Sequence, residues 1–268
     1  MLRIENLSKR FGKNTASEVL AIDGLSLRVS PGEFACVIGS NGAGKSTLLA
    51  CVSGATRPDE GKIVLEGEDI TRQPENKRAG KIGRVFQDPL SGTCASMTIE
   101  ENMALANRRG KPRTLRMGIT KKEREKFREA LSELNLGLEN RLRDPVGLLS
   151  GGQRQSLSLI MATLVRPTLL LLDEHTAALD PKTANLVMNL TAEVVEKEKL
   201  TTVMITHNMR LALLHGTRLL MMHRGQILLD FDELSKSKLT LQDLLEKFDV
   251  ALPENNTAGV LSDRMLLG

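Results

Sequence analysis

Residues 39–47 read Gly-Ser-Asn-Gly-Ala-Gly-Lys-Ser-Thr, a complete G-x-x-x-x-G-K-[ST] pattern. No other stretch narrows the possible folds as far. Its glycines let backbone N–H groups turn inward around phosphate, and the start of a following helix adds positive potential. Such a loop needs a strand before it and a helix after it, and both are legible. The apolar run 34–38 predicts a buried strand, and 45–52 predicts a helix with Gly54 as its C-terminal cap. Lys45 is then placed to reach the β- and γ-phosphates, and the Ser46 hydroxyl to ligate Mg²⁺. Gly39, Ser40, Asn41, Gly42, Ala43, Gly44 and Thr47 complete the cradle. The expected ligand is a nucleoside triphosphate.

Four more segments follow in order: Arg84-Val-Phe-Gln87-Asp-Pro89, Leu149-Ser150-Gly151-Gly152-Gln153, Leu169-Leu-Leu-Leu172-Asp173-Glu174, and Thr206-His207 after the apolar run 202–205. Each alone has a plain structural explanation. Residues 169–172 would pass as any buried parallel strand, and His207 as a satisfied histidine at a strand end. Ser150 and Gln153 match a capping box. Behind a phosphate loop, in this order, they form a system. The helix after Ser150 shows an apolar face of Leu157, Ile160, Met161 and Leu164.

Composition limits the setting. The chain has 268 residues, 41% hydrophobic and 26% charged, enough to bury a substantial α/β core. No apolar run approaches the roughly 18 residues that span a bilayer, and the N-terminus lacks a signal-peptide core, so any membrane role is expected to be peripheral. Cys36, Cys51 and Cys94 form no C-x-x-C pair, and the first two read as small buried residues in a reduced cytoplasm. The net charge of +4 is mild, and without Trp or Tyr there is no stacking platform for nucleic acid. That absence of Tyr and Trp has two readings: lineage composition or chance, and a protein made when aromatic amino acids are scarce because it helps to import them.

These motifs together resemble the ATP-binding-cassette ATPases, from Leu2 to about Asp230. The resemblance implies an α/β fold: a P-loop NTPase core of ABC type with an N-terminal antiparallel β subdomain and a helical signature subdomain. Residues 1–230 form the ATPase domain, with the helical subdomain inserted at about 88–165; residues 231–268 form a C-terminal helix and tail. By the resemblance, residues 39–47 are Walker A, Gln87 is the Q-loop glutamine, and Ser150, Gly151, Gly152 and Gln153 belong to the signature. Asp173 and Glu174 end Walker B, Asp180 lies in the D-loop, and His207 is the switch histidine. Phe11 takes the place of the aromatic that stacks on adenine. One position departs from the pattern: His175 stands where the family usually has Pro, which reads first as a tolerated replacement and, as the alternative, as a titratable group beside Glu174 that adds a pH dependence near neutrality.

Hydrolysis would then use Lys45 and the loop amides for charge neutralisation. Ser46 and Gln87 would hold Mg²⁺, with Asp173 reaching it through water. Glu174 would act as general base, and His207 would touch the γ-phosphate. The signature and Asp180 would serve the ATP of a second cassette, a copy or a paralogue, arranged head to tail.

The expected setting is the cytoplasmic face of the membrane, powering a permease on separate chains and, indirectly, an extracytoplasmic solute-binding protein. No nucleic-acid partner is expected. Residues 67–71 most resemble amino-acid importer subunits, the branched-chain class especially. The alternatives are a soluble iron–sulfur assembly subunit and the cassette of a lipoprotein or peptide exporter.

Further expectations concern organisation. Strands are expected at 25–29 and 62–65, with turns at Pro31-Gly32 and Glu60-Gly61. A helix is expected over 121–134, a docking loop at 91–96, and a hairpin of 218–222 with 226–229 around Arg224-Gly225. One amphipathic helix is expected within 232–248, followed by a loosely ordered tail from Pro253.

Overall fold

The structure, a computed structural model, describes residues 1–111 and 118–251. The tail from Pro253 lies outside the described residues. The chain divides into two compact units, one of Met1–Pro74 with Thr201–Gly268, the other of Glu75–Leu200.

The first unit begins with β1 (Leu2–Phe11), β2 (Val19–Val29), β3 (Phe34–Gly39), α1 (Lys45–Ser53), β4 (Glu60–Leu65) and β5 (Glu68–Asp69). β1 pairs antiparallel with β2 and β4, and β4 with β5, which makes the expected antiparallel sheet. Leu25, Leu27 and Val29 of β2 and Leu2 and Ile4 of β1 are buried at a period of two, and a register shift between Ile4 and Leu7 buries Leu7 as well. Glu60-Gly61, expected as a turn, instead opens β4. Glu60 pairs with Ser8, across a register irregularity between Glu5 and Ser8 that accommodates the extra length.

The second unit holds α2 (Glu75–Arg78), β6 (Ile82–Val85), α3 (Ile99–Asn107), α4 (Lys121–Ser132), α5 (Gly151–Thr163), β7 (Leu169–Asp173) and α6 (Pro181–Glu198). β6 and β7 run parallel. Its helices start where the sequence places caps: Thr98 with Glu101, Thr120 with Glu123, and Ser150 with Gln153 each form a complete capping box. They close on a core of Ile99, Met103, Phe127, Leu131, Leu157 and Ile160, with Met161 and Leu164 packed against it.

The chain returns to the first unit with β8 (Thr202–Ile205), α7 (Met209–Leu214), β9 (Arg218–His223), β10 (Gln226–Phe231), α8 (Glu233–Lys236) and α9 (Leu241–Ala251). β3 lies parallel to both β8 and β9, and β10 is antiparallel to β9. The β9–β10 turn takes Arg224 and Gly225 at φ +46° and +80°, the two left-handed residues of a tight hairpin. The single helix expected within 232–248 is instead two. Asp232 caps α8 by accepting from Ser235 N, and Thr240 starts a second helix by accepting from Asp243 N at 3.1 Å. Two competing caps eight residues apart end one helix and begin another. Leu244 and Phe248 of α9 are buried, as are Cys36 and Cys51, while Cys94 is exposed.

Candidate active site

In the first unit, β3 and β8 are adjacent and parallel, with Val37 opposite Ile205. The phosphate loop and His207 therefore leave the same, carboxyl, edge of the sheet, where ligands of open α/β sheets bind. Thr206 N donates to Val37 O at 3.1 Å and fixes the second exit. His207 is exposed, and Asn208 caps α7 directly behind it by accepting from Leu211 N at 3.0 Å. The loop is tied at both ends, by Ala43 N to Ser40 O and Gly225 N to Ala43 O. Gly44 has φ +97°, and a Cβ there would run into the Ala21 carbonyl oxygen, so only glycine serves. Lys45 is 5% exposed, and its Nζ donates to Gly39 O at 2.8 Å and Ser40 O at 3.1 Å. Ser46 is exposed on the first turn of α1, which carries no acidic residue to offset the positive end of the helix dipole.

Phe11 ends β1, 44% exposed, with Lys9 Nζ 5.3 Å from the ring centroid. Asp59 anchors this corner: its Oδ2 accepts from Arg10 N at 2.7 Å, and Lys13 lies 3.1 Å from its Oδ1.

The second unit repeats the arrangement. β6 and β7 are parallel with Val85 opposite Leu172, so Gln87 and the Asp173–Glu174 pair also leave a common carboxyl edge. Gln87 is exposed. Gln155 of α5 donates from Nε2 to Phe86 O at 3.1 Å and fastens the residue before it. Successive residues of a continuing strand would point to opposite faces, but Glu174 adopts φ +43°. This left-handed conformation costs a non-glycine residue about 1–2 kcal/mol and turns the chain sharply between the two acids. Ala177 N closes the turn on Glu174 O at 2.9 Å.

Asp173 brings a partner that sequence reasoning gave no role. Its Oδ2 accepts from Arg84 Nη2 at 2.8 Å. The signal was present: a lone arginine inside the apolar strand 82–85 needs a buried counter-charge. Gln155 was missed likewise.

The signature segment sits at the start of α5 with Gly151 exposed. Gly152 is buried, and a Cβ there would collide with Thr183 Cγ2. Asp180 caps α6 by accepting from Thr183 N at 3.1 Å, and the Thr183 contacts hold its carboxyl below the usual range.

At His175 the structure removes the titrating alternative. The residue is 2% exposed, and burial pushes its imidazole down to about 4. Near neutrality it is uncharged, so it supplies no titration there.

Beside β6, a groove of ≈ 460 Å³ is lined by Arg84, Phe86, Cys94, Leu105, Arg109 and Ser158, among others. Asn102 shapes its rim, accepting from Cys94 N at 2.8 Å and donating to Cys94 O at 3.0 Å. Ser91, Gly92, Thr93 and Cys94 of the loop 91–96, expected to dock a partner, line the groove as well.

No group of three or more His, Cys, Asp or Glu able to hold a metal occurs among the described residues. The Ser46 hydroxyl, exposed on the first turn of α1, and the Asp173 carboxylate are oxygen donors of the kind Mg²⁺ takes beside phosphate oxygens and water. No helix among the described residues is long and apolar enough to cross a membrane.

A phosphate loop between β3 and α1, with an Asp–Glu pair at the carboxyl end of a parallel strand, defines a P-loop nucleotide-hydrolysing protein. The chain belongs to the ABC transporter family, whose model matches residues 22–177. It is 46% identical over 252 residues to the tyrosine transport ATP-binding protein of Clostridioides difficile (strain R20291), covering 94% of this chain and 100% of that one. It is 37% identical over 230 residues to the methionine import ATP-binding protein MetN of Rhizobium johnstonii (strain DSM 114642 / LMG 32736 / 3841), covering 85% of this chain and 59% of that one. The chain thus spans about three-fifths of the MetN relative. The dimeric cassette MJ0796, in a post-hydrolysis state bound to ADP and Pi, has a TM-score of 0.74 at 27% identity, covering 87% of this chain and 99% of that one. The ADP conformation of MJ1267, an ATP-binding cassette of an ABC transporter, gives 0.75 at 29%, covering 93% and 98%. The expected fold is borne out, and the chain is an ATP-binding, ATP-hydrolysing cassette.

Proposed function

We propose that this cassette powers the import of an aromatic amino acid through a permease carried on other chains. The observation that carries the ATPase part is the clustering of Gln87, Asp173 and Glu174 at one carboxyl strand edge and of the phosphate loop and His207 at another. The aromatic substrate class is supported by a chain with no Tyr and no Trp and by its likeness to a tyrosine transport cassette. The methionine import relative supports amino-acid import in general.

In this reading residues 1–230 work as one ATPase domain with a helical subdomain at about 88–165. Lys45 leaves the carbonyls of Gly39 and Ser40 for the β/γ-phosphates, and Phe11 stacks on adenine. Ser46 and Gln87 would hold Mg²⁺, with Asp173 reaching it through water, and the ion would supply charge neutralisation at the phosphates. Glu174 takes the proton of the water that attacks the γ-phosphorus, and His207 orients that water. Ser150, Gly151, Gly152 and Gln153 present the start of α5 to the ATP of a second cassette, with Asp180 nearby. The groove beside β6 receives the permease at the cytoplasmic face of the membrane, where the cassette is held peripherally.

The test is affinity purification of tagged Glu174→Gln from detergent-solubilised membranes with ATP, paired with uptake of tyrosine and tryptophan by a deletion strain. A multi-spanning protein in stoichiometric amount and reduced aromatic uptake are expected. Purely soluble co-purifying partners would withdraw the transport reading, and unchanged uptake of both amino acids would withdraw the aromatic one.

A further inference from the structure

Arg84 joins two places with different jobs. It is the one charged residue of β6, whose other three residues are buried. On one side its Nη2 donates to Asp173 Oδ2 at 2.8 Å, with both side chains mostly shielded from solvent. On the other, its guanidinium lies over the Phe86 ring, 4.6 Å from the centroid. Arg84 and Phe86 both line the groove beside β6. Phe86 leads directly into Gln87, and Gln155 of α5 holds its carbonyl.

We propose that Arg84 is a built-in counter-ion for Asp173, released when Mg²⁺ arrives with nucleotide, and that its release is transmitted through Phe86 to the groove. The inference rests on the reading of Asp173 as a Mg²⁺-directed acid. One carboxylate cannot serve a guanidinium and a hydrated divalent cation with equal strength, and the two cations repel each other. Arg84 therefore competes with the ion for Asp173. Once loosened, it keeps its cation–π contact with Phe86 and turns its donors toward the groove, where a carboxylate on the permease could take them. Loading of the site and grip on the partner are thereby linked through one side chain. Arg84 touches no substrate and acts as a positioning residue.

The test uses the full chain carrying Glu174→Gln, so that ATP persists, with Mn²⁺ replacing Mg²⁺ and free Mn²⁺ counted by electron paramagnetic resonance. Arg84→Met is expected to lower the Mn²⁺ half-saturation with ATP about fivefold, the scale of one ion pair. ATP affinity in EDTA should stay unchanged. Amide exchange across residues 86–94, expected to respond to Mn²⁺–ATP when Arg84 is present, should cease to respond. Arg84→Lys, which keeps the charge but loses the planar face, guards against misfolding of the Met variant. It should retain the original Mn²⁺ half-saturation and lose the exchange response.

Unchanged or weaker Mn²⁺ binding in Arg84→Met, with ATP still bound, overturns the proposal. So does an undiminished exchange response, or a Lys variant that matches Met in Mn²⁺ affinity. Failure of the Arg84-containing protein to bind ATP at all would instead overturn the nucleotide-site reading beneath it.

Discussion

His175 Nε2 lies 3.1 Å from Thr191 Oγ1, and that hydroxyl already donates its proton to Val187 O at 2.7 Å. The hydroxyl must therefore accept from His175, which fixes the Nε2–H tautomer of a neutral ring. Residue 175 is an anchor between the turn after β7 and the middle of α6, and its ring nitrogen replaces the φ restraint that proline would impose.

Stability should therefore depend on pH through His175. A free imidazole binds its proton near 6.5, whereas the buried ring does so only at about 4. Between those values the unfolded chain holds more protons. The contribution is complete above about pH 6.5 and is lost as the pH falls toward 4. The expected loss between pH 7 and pH 5 is about 2 kcal/mol. Urea unfolding should show it in the wild type and not in His175→Leu. The pH–rate profile of His175→Pro should overlay the wild type between about pH 6.5 and 8, because the neutral ring has no proton to exchange there.

Glu174→Gln should bind ATP about as well as the wild type and lose hydrolysis by 10²-fold or more, on the order expected for a general base. Turnover counted by released phosphate, alongside equilibrium nucleotide binding, separates the two effects. Retained turnover would move the general-base role away from Glu174.

Gly152→Val should destabilise the second unit by about 1–3 kcal/mol through overpacking against Thr183. The milder Gly152→Ala should be partly rescued by Thr183→Ser, which removes the colliding methyl and keeps the backbone N–H that caps with Asp180. Thermal midpoints of the single and double variants provide the cycle. Equal midpoints for Gly152→Ala with and without Thr183→Ser would show that the contact does not govern this position.

Phe11→Ala should weaken ATP binding by about 1–3 kcal/mol, the usual worth of one base on an aromatic face. Phe11→Leu should recover little of it, since leucine keeps the bulk and loses the π face. If both variants bind ATP as the wild type does, adenine lies elsewhere.

Much of this protein was legible because its strongest signals are local. A cap three residues from its partner, as in Ser150 with Gln153, is written in the sequence and needs no knowledge of the rest of the chain. The phosphate loop, the strand before it and the helix behind it were readable for the same reason. The split of the C-terminal segment into α8 and α9 belongs to this class too: Thr240 with Asp243 is a local cap signal inside the span read as one amphipathic helix.

The sequence by itself determined the class of chemistry, the order of the motifs and most element starts, since each depends on residues within a few positions of one another. Tertiary structure alone decided which charges meet and which titratable groups are shielded from water. Arg84 and Asp173 are 89 residues apart and become neighbours only because β6 and β7 pair in parallel. His175 is neutral only because packing beneath α6 removes the water that would stabilise its charge. Desolvation and long-range pairing are properties of the assembled interior, and no window of sequence contains them.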